Sequence, residues 1–406
     1  MEQDRNPART TTVAVVGGGP AGLTAALTLA SAGIDTALIA KRTEHPDNRT
    51  TALLASSVAA LDVLGVWERC RDQAAALRTM RIVDDTARLW RAPEVSFNAA
   101  EIGLEAFGWN IENRHLVAAL AARAAESPSL RQIDGEATGL TIDADGVTVS
   151  LGDGSNLRAT LVVGADGRNS RSRAAAGIRN KTWRYPQTAL TFNLSHTRPH
   201  HDVSTEFHTG SGPFTLVPLP GLRSSLVCVL DPEEAEHVAG LGPETLATEL
   251  ERRSHSILGK ITVEPGRGRF PLAGETALCF GSRRVALIGE AAHVLPPIGA
   301  QGLNLGLRDA ATIGELVIDA FRRGEDVGAP PLLAQYDRLR RPDVASRTLA
   351  VDLLNRTLLS DFLPLQGARG LGLYLLDRVG PLRRALMREG VAPRGEQPRM
   401  MRGEPL

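Results

Sequence analysis

The chain has 406 residues, of which 43% are hydrophobic and 23% are charged, a balance typical of a globular enzyme with a substantial core. Lysines and arginines number 46, equal to the 46 aspartates and glutamates, so the net charge does not indicate nucleic acid as a partner. The three cysteines (Cys70, Cys228, Cys279) form no CxxC pair, which predicts reduced thiols in a cytoplasmic protein. Apolar runs are too short to predict a membrane-spanning helix.

The N-terminal part of the chain predicts a β-α-β unit. Val13–Val16 is a short β-branched strand that ends at a glycine, a helix follows from about Ala21 to Ser31, and Ile34–Ile39 is a second strand. This order is typical of an α/β fold with a parallel, doubly wound (Rossmann-like) sheet. We therefore interpret the apolar stretch from Val13 to Ile34 as folded structure rather than as a signal peptide.

The turn between the first strand and its helix has the spacing Gly17-x-Gly19-x-x-Gly22. Gly17 permits a tight turn, Gly19 allows backbone to approach a pyrophosphate, and Gly22 lets the helix pack closely on the sheet. The helix start adds unpaired N–H groups and a partial positive charge. The acid that usually ends the second strand and holds the ribose is absent, since Ala40 occupies that position and Glu44 is a poor substitute.

The middle of the chain changes from helical to strand-like texture. Helical patterns run from Ser57 to about Ala76 and from Asn113 to Ala125, and Leu140–Leu151 alternates as a strand that turns at Asp145-Gly146 before the apolar strand Leu161–Val163. Between about Thr182 and Cys279, strand-like segments separated by Pro/Gly turns predict a second sheet over the first domain. These segments are Ala189–Leu194, Phe214–Pro218 and Ser225–Leu230.

Two further glycine-rich segments follow buried strands. The first is Gly164-Ala165-Asp166-Gly167, which sits where open α/β sheets bind ligands, although Asp-Gly alone is also typical of a surface turn. The second follows strand Val285–Ile288 and runs from Gly289-Glu290 through His293 and Pro296-Pro297 to Gly299 and Gln301. A long helix then begins near Gly302, and its N-terminus would stabilise negative charge on a ligand, such as the pyrimidine edge of a reduced flavin.

These three glycine-rich segments, in this order, resemble the group A flavoprotein monooxygenases, which have the fold of p-hydroxybenzoate hydroxylase. The chain is most similar, over nearly its whole length, to the ubiquinone-biosynthesis hydroxylases of UbiH/UbiF type. The resemblance implies that the first segment binds the ADP part of FAD, that the Asp166-Gly167 loop serves both FAD and a nicotinamide donor (NADPH or NADH), and that the third binds the ribityl chain and the flavin ring. The implied cofactor-binding residues are Gly17, Gly19, Gly22, Arg49, Arg114, Asp166, Gly167, Gly289, Glu290, Gly299, Gln301, Gly302, Leu303 and Asn304.

Two arginines enter that set through their flanking sequence. Asp47-x-Arg49 before TTALLASS resembles the family loop whose arginine meets the FAD phosphates, and WNIENRHLVAAL resembles the helix that places Arg114 near the cofactor. The chain also departs from the family pattern, with Glu290 in place of the usual Asp and with Pro296-Pro297 in place of His-Pro. The Pro-Pro pair is typical of soluble aromatic hydroxylases, and it leaves the substrate more open than the chemistry.

The resemblance also implies domains and a reaction. We expect an FAD-binding domain at 1–180 with part of the substrate sheet near 78–112, a substrate-binding β-sheet domain at 181–281, the FAD-binding domain continued at 282–345, and a C-terminal helical tail at 346–406. The implied reaction is hydroxylation of an aromatic ring, most simply a polyprenylphenol of ubiquinone biosynthesis, with O2 and a flavin C4a-hydroperoxide. The alternatives are a hydroxylase of a small soluble aromatic, a flavin reductase of prenyl chains, or a non-catalytic FAD-binding partner of a quinone-biosynthesis complex.

No catalytic base can be assigned from the sequence. His293 and Pro297 are the candidates, yet His293 is as well explained as a histidine that orients its loop, and Pro297 with Pro296 as a wall beside the flavin. The histidines at 196, 200, 201 and 208 match no zinc spacing, so we predict no metal. The tail from Leu349 to about Met387 alternates apolar and basic residues, which is typical of a helix packed on the body or of a peripheral contact with the inner membrane face or a partner enzyme.

Overall fold

The computed structural model describes residues 9–41, 49–86, 93–297, 299–359, 378–391 and 397–406. Strands form most of the regular structure before residue 295, and helices dominate after residue 300. In chain order, the strands are β1 (Arg9–Val16), β2 (Thr36–Ala40), β3 (Thr50–Leu54), β4 (Ala74–Ala76), β5 (Thr79–Asp84), β6 (Val95–Asn98), β7 (Gly108–Glu112), β8 (Leu130–Asp134), β9 (Ala137–Ile142), β10 (Val147–Leu151), β11 (Asn156–Gly164), β12 (Asn180–His196), β13 (Val203–His208), β14 (Pro213–Leu219), β15 (Arg223–Leu230), β16 (Ile261–Val263), β17 (Gly268–Ala277), β18 (Gly281–Ser282), β19 (Val285–Leu287) and β20 (His293–Val294).

Helices pack on both large sheets and form most of the C-terminal part of the chain, with α5 and α6 on the second sheet. They are α1 (Pro20–Ser31), α2 (Ala55–Val63), α3 (Asn113–Ala125), α4 (Arg171–Ala175), α5 (Pro232–Gly240), α6 (Pro243–Arg253), α7 (Gln301–Arg322), α8 (Pro330–Leu359) and α9 (Gly380–Val391). Among the described residues, no helix combines the length and the apolar character needed to span a bilayer.

The first sheet confirms the α/β, doubly wound prediction. Its strand order is β18-β19-β11-β1-β2-β8, and β19, β11, β1, β2 and β8 run parallel to one another. The hairpin of β9 and β10 joins this sheet through β11. Strands buried on both faces read as continuous apolar runs, which is why Val13–Val16 and Leu161–Val163 could be recognised, and all of these residues are buried.

The second sheet lies where the strand-like texture predicted it. Its order is β20-β17-β12-β15-β14-β13-β5-β6, with β16 paired to β12. The three predicted segments Ala189–Leu194, Phe214–Pro218 and Ser225–Leu230 lie inside β12, β14 and β15. Strands β5 and β6, from the 78–112 region, add to the edge of this sheet, while β7 pairs with β3 and β4 in a separate three-stranded sheet.

One predicted helix is wrong for most of its length. The segment Ser57–Ala76 is helical only to Val63, because Gly65 adopts a left-handed φ of +67° that ends α2. Two short 3-10 turns and strand β4 follow, and β4 pairs with β7. Glycine reaches positive φ at little cost, so it terminates a helix that apolar periodicity alone would extend. The tail prediction is helical as far as Leu359 and again from Gly380, and its residues 360–377 lie outside the described residues.

Candidate functional site

The three glycine-rich segments meet at one edge of the first sheet. Val16 at the end of β1 is in register with Gly164 at the end of β11, and Gly164 is in register with Leu287 at the end of β19. The parallel strands therefore deliver all three turns to their common carboxyl edge, which is where doubly wound sheets bind ligands. Backbone hydrogen bonds join the turns directly, since the Ala165 N–H donates to Val16 O (2.8 Å) and the Ile288 N–H donates to Gly164 O (2.9 Å).

The glycines of the first turn serve two different purposes. Gly17 has a φ of +118°, and a Cβ there would lie 2.2 Å from the Ala165 carbonyl oxygen. A Cβ at Gly22 would lie 2.0 Å from the carbonyl oxygen of Gly17. These two glycines are therefore required by close packing within the protein. At Gly19, which caps α1, a Cβ would meet no atom within 4 Å, so the space above it is open to a ligand.

The third turn packs against the first helix. Gly289 has a φ of +58°, and a Cβ there would lie 3.3 Å from the Ala21 Cβ on α1. On α7, a Cβ at Gly306 would lie 3.2 Å from the Gly289 Cα. These small residues let α1, α7 and the Gly289 turn approach one another closely. The contact brings the start of α7 toward the turn that begins α1.

A buried aspartate holds the third turn in place. Asp309 on α7 is fully buried, and its Oδ2 accepts hydrogen bonds from the Gly289 N–H (3.0 Å) and from the ring of His293 (Nε2 at 2.6 Å), while its Oδ1 accepts one from Arg340 Nε (2.7 Å). Burial alone would raise the pKa of Asp309, but His293 and Arg340 outweigh burial and lower the pKa to about 2. The carboxylate is therefore charged and fixes the Gly289–His293 segment to α7.

The start of α7 is fixed by a second buried side chain. Asn304 accepts hydrogen bonds at Oδ1 from the Leu54 N–H (2.9 Å) and the Ser57 hydroxyl (2.7 Å), and its amide donates to the carbonyls of Ala52 (2.8 Å) and Ala300 (2.6 Å). Three of these bonds attach α7 to the corner between β3 and α2, and the fourth fixes the residue before the helix. The residue before α7, Ala300, has a left-handed φ of 53°. This turn connects the loop that carries Pro296 and Pro297 (the proline loop) to the start of the helix.

A cavity of about 330 Å³ opens at the ends of β1 and β2. It is bounded by the first glycine turn, the end of β2, the loop after β8 and the loop after β11. Its lining residues are Val16, Gly17, Gly18, Ile39, Ala40, Lys41, Gly135, Glu136, Ala137, Asp166, Asn169 and Arg171. The predicted ribose position, Ala40, faces the turn, since a Cβ built on Gly18 would lie 2.6 Å from the Ala40 Cβ.

A second cavity, of about 190 Å³, lies between the proline loop and the second sheet. One side is formed by Arg49, Arg168, Glu290 and the prolines at 296 and 297, and the other side by strands β12, β15 and β17. The strand residues that line it are Thr191, Phe192, Asn193, Ser225, Leu226, Val227, Phe270, Pro271, Leu272 and Ala273. The loop after β11 reaches both cavities, because Asp166 and Asn169 line the first and Arg168 lines the second.

Comparison with known proteins identifies the family. The model of the FAD binding domain family matches residues 10–350. The chain belongs to this family. It is 37% identical over 404 residues to the ubiquinone hydroxylase UbiL of Rhodospirillum rubrum, covering 97% of this chain and 93% of that protein. It is 32% identical to the 3-demethoxyubiquinol 3-hydroxylase of Escherichia coli, over 93% of this chain and 97% of that one.

A solved structure shows the same fold at lower identity. The p-nitrophenol 4-monooxygenase PnpA from Pseudomonas putida superposes with a TM-score of 0.79 at 20% identity, covering 96% of this chain and 100% of that one. This superposition confirms the fold. The family model and the two related hydroxylases confirm the resemblance to flavoprotein monooxygenases, and the cofactor of this FAD binding domain family is FAD. The chain is an oxidoreductase of the flavin monooxygenase class.

The residues at the sheet edge fit FAD. The open space above Gly19 and the uncapped N–H groups at the start of α1 suit a pyrophosphate, because helix N-termini attract anions. Of the predicted cofactor residues, Gly17 and Asp166 line the first cavity and Arg49 and Glu290 line the second. Gly167, with a φ of +75°, shapes the loop between the two cavities. The backbone at Gly299, Gln301, Gly302 and Leu303 forms the exposed or half-buried start of α7.

Several predicted residues have protein partners that define what their side chains do. The Asp166 carboxylate accepts hydrogen bonds from the Ser170 hydroxyl (2.5 Å) and the Ser172 N–H (2.9 Å), so it supports Ser170, the N-cap residue of α4. The amide of Asn304 is fully used by the protein, as described above. Arg114 pairs with Glu112 at 3.0 Å and lines neither cavity. A direct contact of Arg114 with FAD therefore stays a prediction. Glu44, the weak ribose candidate, lies outside the described residues.

The two catalytic candidates differ in accessibility. His293 is buried with its Nε2 on Asp309 and lines neither cavity, an arrangement that suits a positioning role. Pro297 lines the second cavity. The rings of three other histidines noted in the sequence contact protein groups: His196 bonds Arg198 O and Ser224 Oγ, His200 bonds Leu219 O, and His208 bonds Glu206. Within the described ranges, no three metal-binding side chains gather at one point.

The sequence did not reveal the wall of the second cavity. Thr191, Asn193 and Ser225 face it from β12 and β15, and Phe270 faces it from β17. Asn193 donates a hydrogen bond to the buried carboxylate of Glu112 at 3.2 Å. Alternation along the strands predicts that one face is covered, but it does not tell which residues meet the proline loop, because that depends on how two sheets pack.

Proposed function

We propose that the protein is an FAD-dependent monooxygenase that hydroxylates the ring of a polyprenylphenol intermediate of ubiquinone biosynthesis, with NADPH or NADH as the electron donor. The observation that carries this proposal is the cavity between the second sheet and the Glu290–Pro297 segment of the FAD site. The cavity offers an apolar wall for an aromatic ring directly beside the cofactor-binding turns. The two hydroxylases of ubiquinone synthesis that match over nearly the full chain support the substrate class.

The lining of this cavity suits a phenol. Val227, Phe270 and Leu272 supply apolar surface that excludes water, which strengthens every electrostatic contact inside. Thr191 and Ser225 supply hydroxyl groups that can bond a ring oxygen. When bound, FAD supplies the hydride acceptor and the oxygen activation for the hydroxylation. The start of α7 contributes partial positive charge that stabilises an anionic edge of the ring system.

A small soluble aromatic is the alternative substrate, and one observation favours it. The cavity of about 190 Å³ holds a ring more easily than a ring with a long prenyl chain, so a prenylated substrate needs its chain to leave the cavity. Oxygen consumption by the purified, FAD-loaded protein with NADPH or NADH separates the two. Stimulation by a short-chain prenylphenol, and little by unprenylated hydroxybenzoates, supports the proposal. The reverse order supports the alternative, and substrate-dependent NAD(P)H oxidation without any oxygen uptake points to a reductase.

The pathway assignment has its own experiment. Deletion of the gene should cause a prenylphenol lacking one ring hydroxyl to accumulate, and the structure of that compound gives the ring position. Unchanged quinone levels in the deletion strain would reject the ubiquinone assignment. A protein that is purified without flavin and cannot be loaded with FAD would contradict every enzymatic interpretation.

We further propose that the C-terminal helices contact a membrane surface. Leu349 and Leu353 on α8 and Leu382 and Leu386 on α9 are 49–67% exposed, and Arg384 beside them on α9 is also exposed. Apolar side chains flanked by arginines are typical of helices that lie on anionic bilayers. The full-length protein should float with phosphatidylglycerol vesicles, and Leu382→Ser with Leu386→Ser should lower the recovery while FAD stays bound. Equal recovery of both proteins would contradict this contact.

A further inference from the structure

The end of β2 lacks the acid that holds the adenosine ribose in a dinucleotide-binding β-α-β unit. Ala40 occupies the position, and its Cβ faces the Gly17-Gly18 turn. In such folds, a carboxylate at this place bonds the ribose hydroxyls. A methyl group offers no such bond. The first cavity nevertheless contains a carboxylate, because Glu136 lines it together with Ala40, Gly17 and Gly18.

Backbone pairing places Glu136 beside Ala40. Strand β8 runs parallel to β2 with Ala40 in register with Asp134, and the Gly135 N–H donates to the Ala40 carbonyl at 3.1 Å. Glu136 is therefore the first residue with a side chain past the end of the neighbouring strand. It reaches the same carboxyl edge of the sheet from one strand further out.

Two cations hold the Glu136 carboxylate. Its Oε1 is 2.5 Å from Arg171 Nη1 and its Oε2 is 3.2 Å from Lys41 Nζ. Both cations also line the cavity, and Arg171 is tied to the Ala137 carbonyl at 2.8 Å. Hydrogen bonds from these cations lower the pKa of Glu136, so the carboxylate is charged and can accept further hydrogen bonds at its remaining lone pairs.

We propose that Glu136 replaces the missing acid of β2 and accepts hydrogen bonds from the adenosine ribose hydroxyls of FAD. This inference rests on the assignment of FAD. It assigns the ribose contact to a residue in the loop after β8, whereas the usual pattern has this acid at the end of β2. Lys41 and Arg171 act as positioning residues, since they orient the carboxylate toward the cavity. The loss of the acid at position 40 and the presence of one at position 136 are then two parts of one arrangement.

The test compares FAD affinity in three full-length proteins. FAD dissociation constants are measured by flavin fluorescence for the wild type, Glu136→Gln and the control Glu126→Gln, each freed of flavin and then titrated. Glu126 is an exposed glutamate bonded by both oxygens to Arg69, remote from the cavity lining. We expect Glu136→Gln to weaken FAD binding about 10- to 100-fold, the range for a hydrogen bond to a charged group. We expect Glu126→Gln to bind as the wild type does.

A cofactor analogue distinguishes a ribose contact from a structural effect of the ion pairs. FAD lacking the 2′- or 3′-hydroxyl of the adenosine should bind the wild type about 10-fold more weakly than FAD, and Glu136→Gln should bind FAD and that analogue almost equally. Equal FAD affinity in wild type and Glu136→Gln overturns the proposal. The proposal is also overturned if Glu136→Gln weakens the binding of both deoxy analogues as much as it weakens the binding of FAD. Failure of the wild type to bind FAD at all would instead reject the cofactor assignment.

A rescue variant adds an independent check. Because the Ala40 Cβ faces the glycine turn, Ala40→Glu introduces a carboxylate at the usual position. In the Glu136→Gln background, Ala40→Glu should restore most of the lost FAD affinity. Restoration by Ala40→Gln to the same extent would show that charge at this position is not what the ribose requires, and would contradict the proposal.

Discussion

At the scale of single residues, the glycines of the first turn differ in role: one leaves space for the ligand and another is required for folding. Gly19 has an ordinary φ of −71° and no neighbour within 4 Å of an added Cβ. Gly19→Glu should therefore fold normally and lose FAD, because a negative side chain would fill the space above the helix start and repel the pyrophosphate. The measurement is the flavin-to-protein absorbance ratio after purification, together with the melting temperature of the flavin-free protein. Stoichiometric flavin in this variant would refute the phosphate-site assignment.

The matched substitution at Gly22 should have the opposite effect. A Cβ there would lie 2.0 Å from the Gly17 carbonyl oxygen, and backbone cannot move aside as a flexible side chain can. Gly22→Ala should destabilise the fold by about 1–3 kcal/mol, the usual cost of overpacking. Gly240→Ala at the end of α5, where an added Cβ meets nothing within 4 Å, serves as the control. Equal denaturant midpoints for the two alanine variants would contradict this account.

Asp309 makes a pH-dependent contribution to stability. Its pKa is about 2 in the fold and about 3.9 in an unfolded chain. Because folding lowers the pKa, the stabilisation is fully present above the unfolded value and is lost as pH falls from about 4 toward 2. Asp309→Asn leaves the buried Arg340 with Asp343 as its carboxylate partner (2.6 Å) and should cost about 2–3 kcal/mol at pH 7, the size that the lowered pKa implies.

The corresponding measurement is urea denaturation of wild type and Asp309→Asn between pH 7 and pH 3. The difference between the two proteins should be constant down to about pH 5 and shrink below pH 4. Glu325→Gln removes an exposed ion pair with Arg323 and should leave stability unchanged throughout. A difference that does not shrink in acid would mean that the charge of Asp309 is not what stabilises the Gly289 turn.

At the scale of elements, Asn304 attaches the start of α7 to β3 and α2. Asn304→Ala removes four hydrogen bonds to β3, α2 and the Ala300 carbonyl and leaves buried backbone groups unsatisfied, which costs at least about 1–3 kcal/mol. We expect a lower melting temperature and weaker FAD binding together, because the helix start moves. Gln301→Ala, which loses only a bond to Gly299 O, should change stability by less than about 1 kcal/mol. Wild-type stability of Asn304→Ala would contradict the attachment.

Elements with a local signal could be predicted from the sequence. Strand β1, its glycine turn and α1 lie next to one another in the chain, and each has its own residue pattern, so the whole unit was recognised. The prediction that the helix from Ser57 continues to Ala76 is wrong because Gly65 ends the helix. The sequence alone does not show whether a glycine within an apolar pattern has a positive φ. The parallel pairing of β5 with β13 could not be predicted, since it joins segments more than a hundred residues apart in sequence.

At the scale of the whole molecule, the site contains residues that the sequence alone reveals and residues that only the packing of distant segments brings together. The glycine segments were found because close backbone approach demands a specific residue type at a specific place, such as Gly17 against Ala165. The second cavity and Glu136 were not found, because any residue with suitable polarity could serve there. Their role arises only when sheets and loops from distant parts of the chain pack together, as when Asn193 of β12 meets Glu112 of β7.

That contact leads to a prediction about catalysis. Glu112 is buried, and its carboxylate accepts hydrogen bonds from Asn193 Nδ2 (3.2 Å), Arg223 Nη1 (3.3 Å) and Arg114 Nη2 (3.1 Å). Glu112→Gln turns one oxygen into a donor, so it cannot accept from all three groups. Asn193 loses its orientation at the cavity wall, while the residues that line the first cavity keep their contacts. We expect the KM of the aromatic substrate to rise about 10-fold, the usual effect of losing one hydrogen bond, and more NAD(P)H to be oxidised without hydroxylation.

Glu264→Gln is the matched control for this experiment. Glu264 is the other carboxylate bonded to Arg223 (2.6 Å), it lines neither cavity, and only its backbone N–H touches Asn193, at the carbonyl oxygen (2.8 Å). Its substitution therefore weakens the ion pair that holds Arg223 without disturbing the Asn193 side chain. If both variants raise the KM equally, the effect comes from Arg223 and the packing of the sheets. If only Glu112→Gln does so, the three-stranded sheet controls substrate binding through Asn193, across an interface between segments that lie about eighty residues apart in the chain.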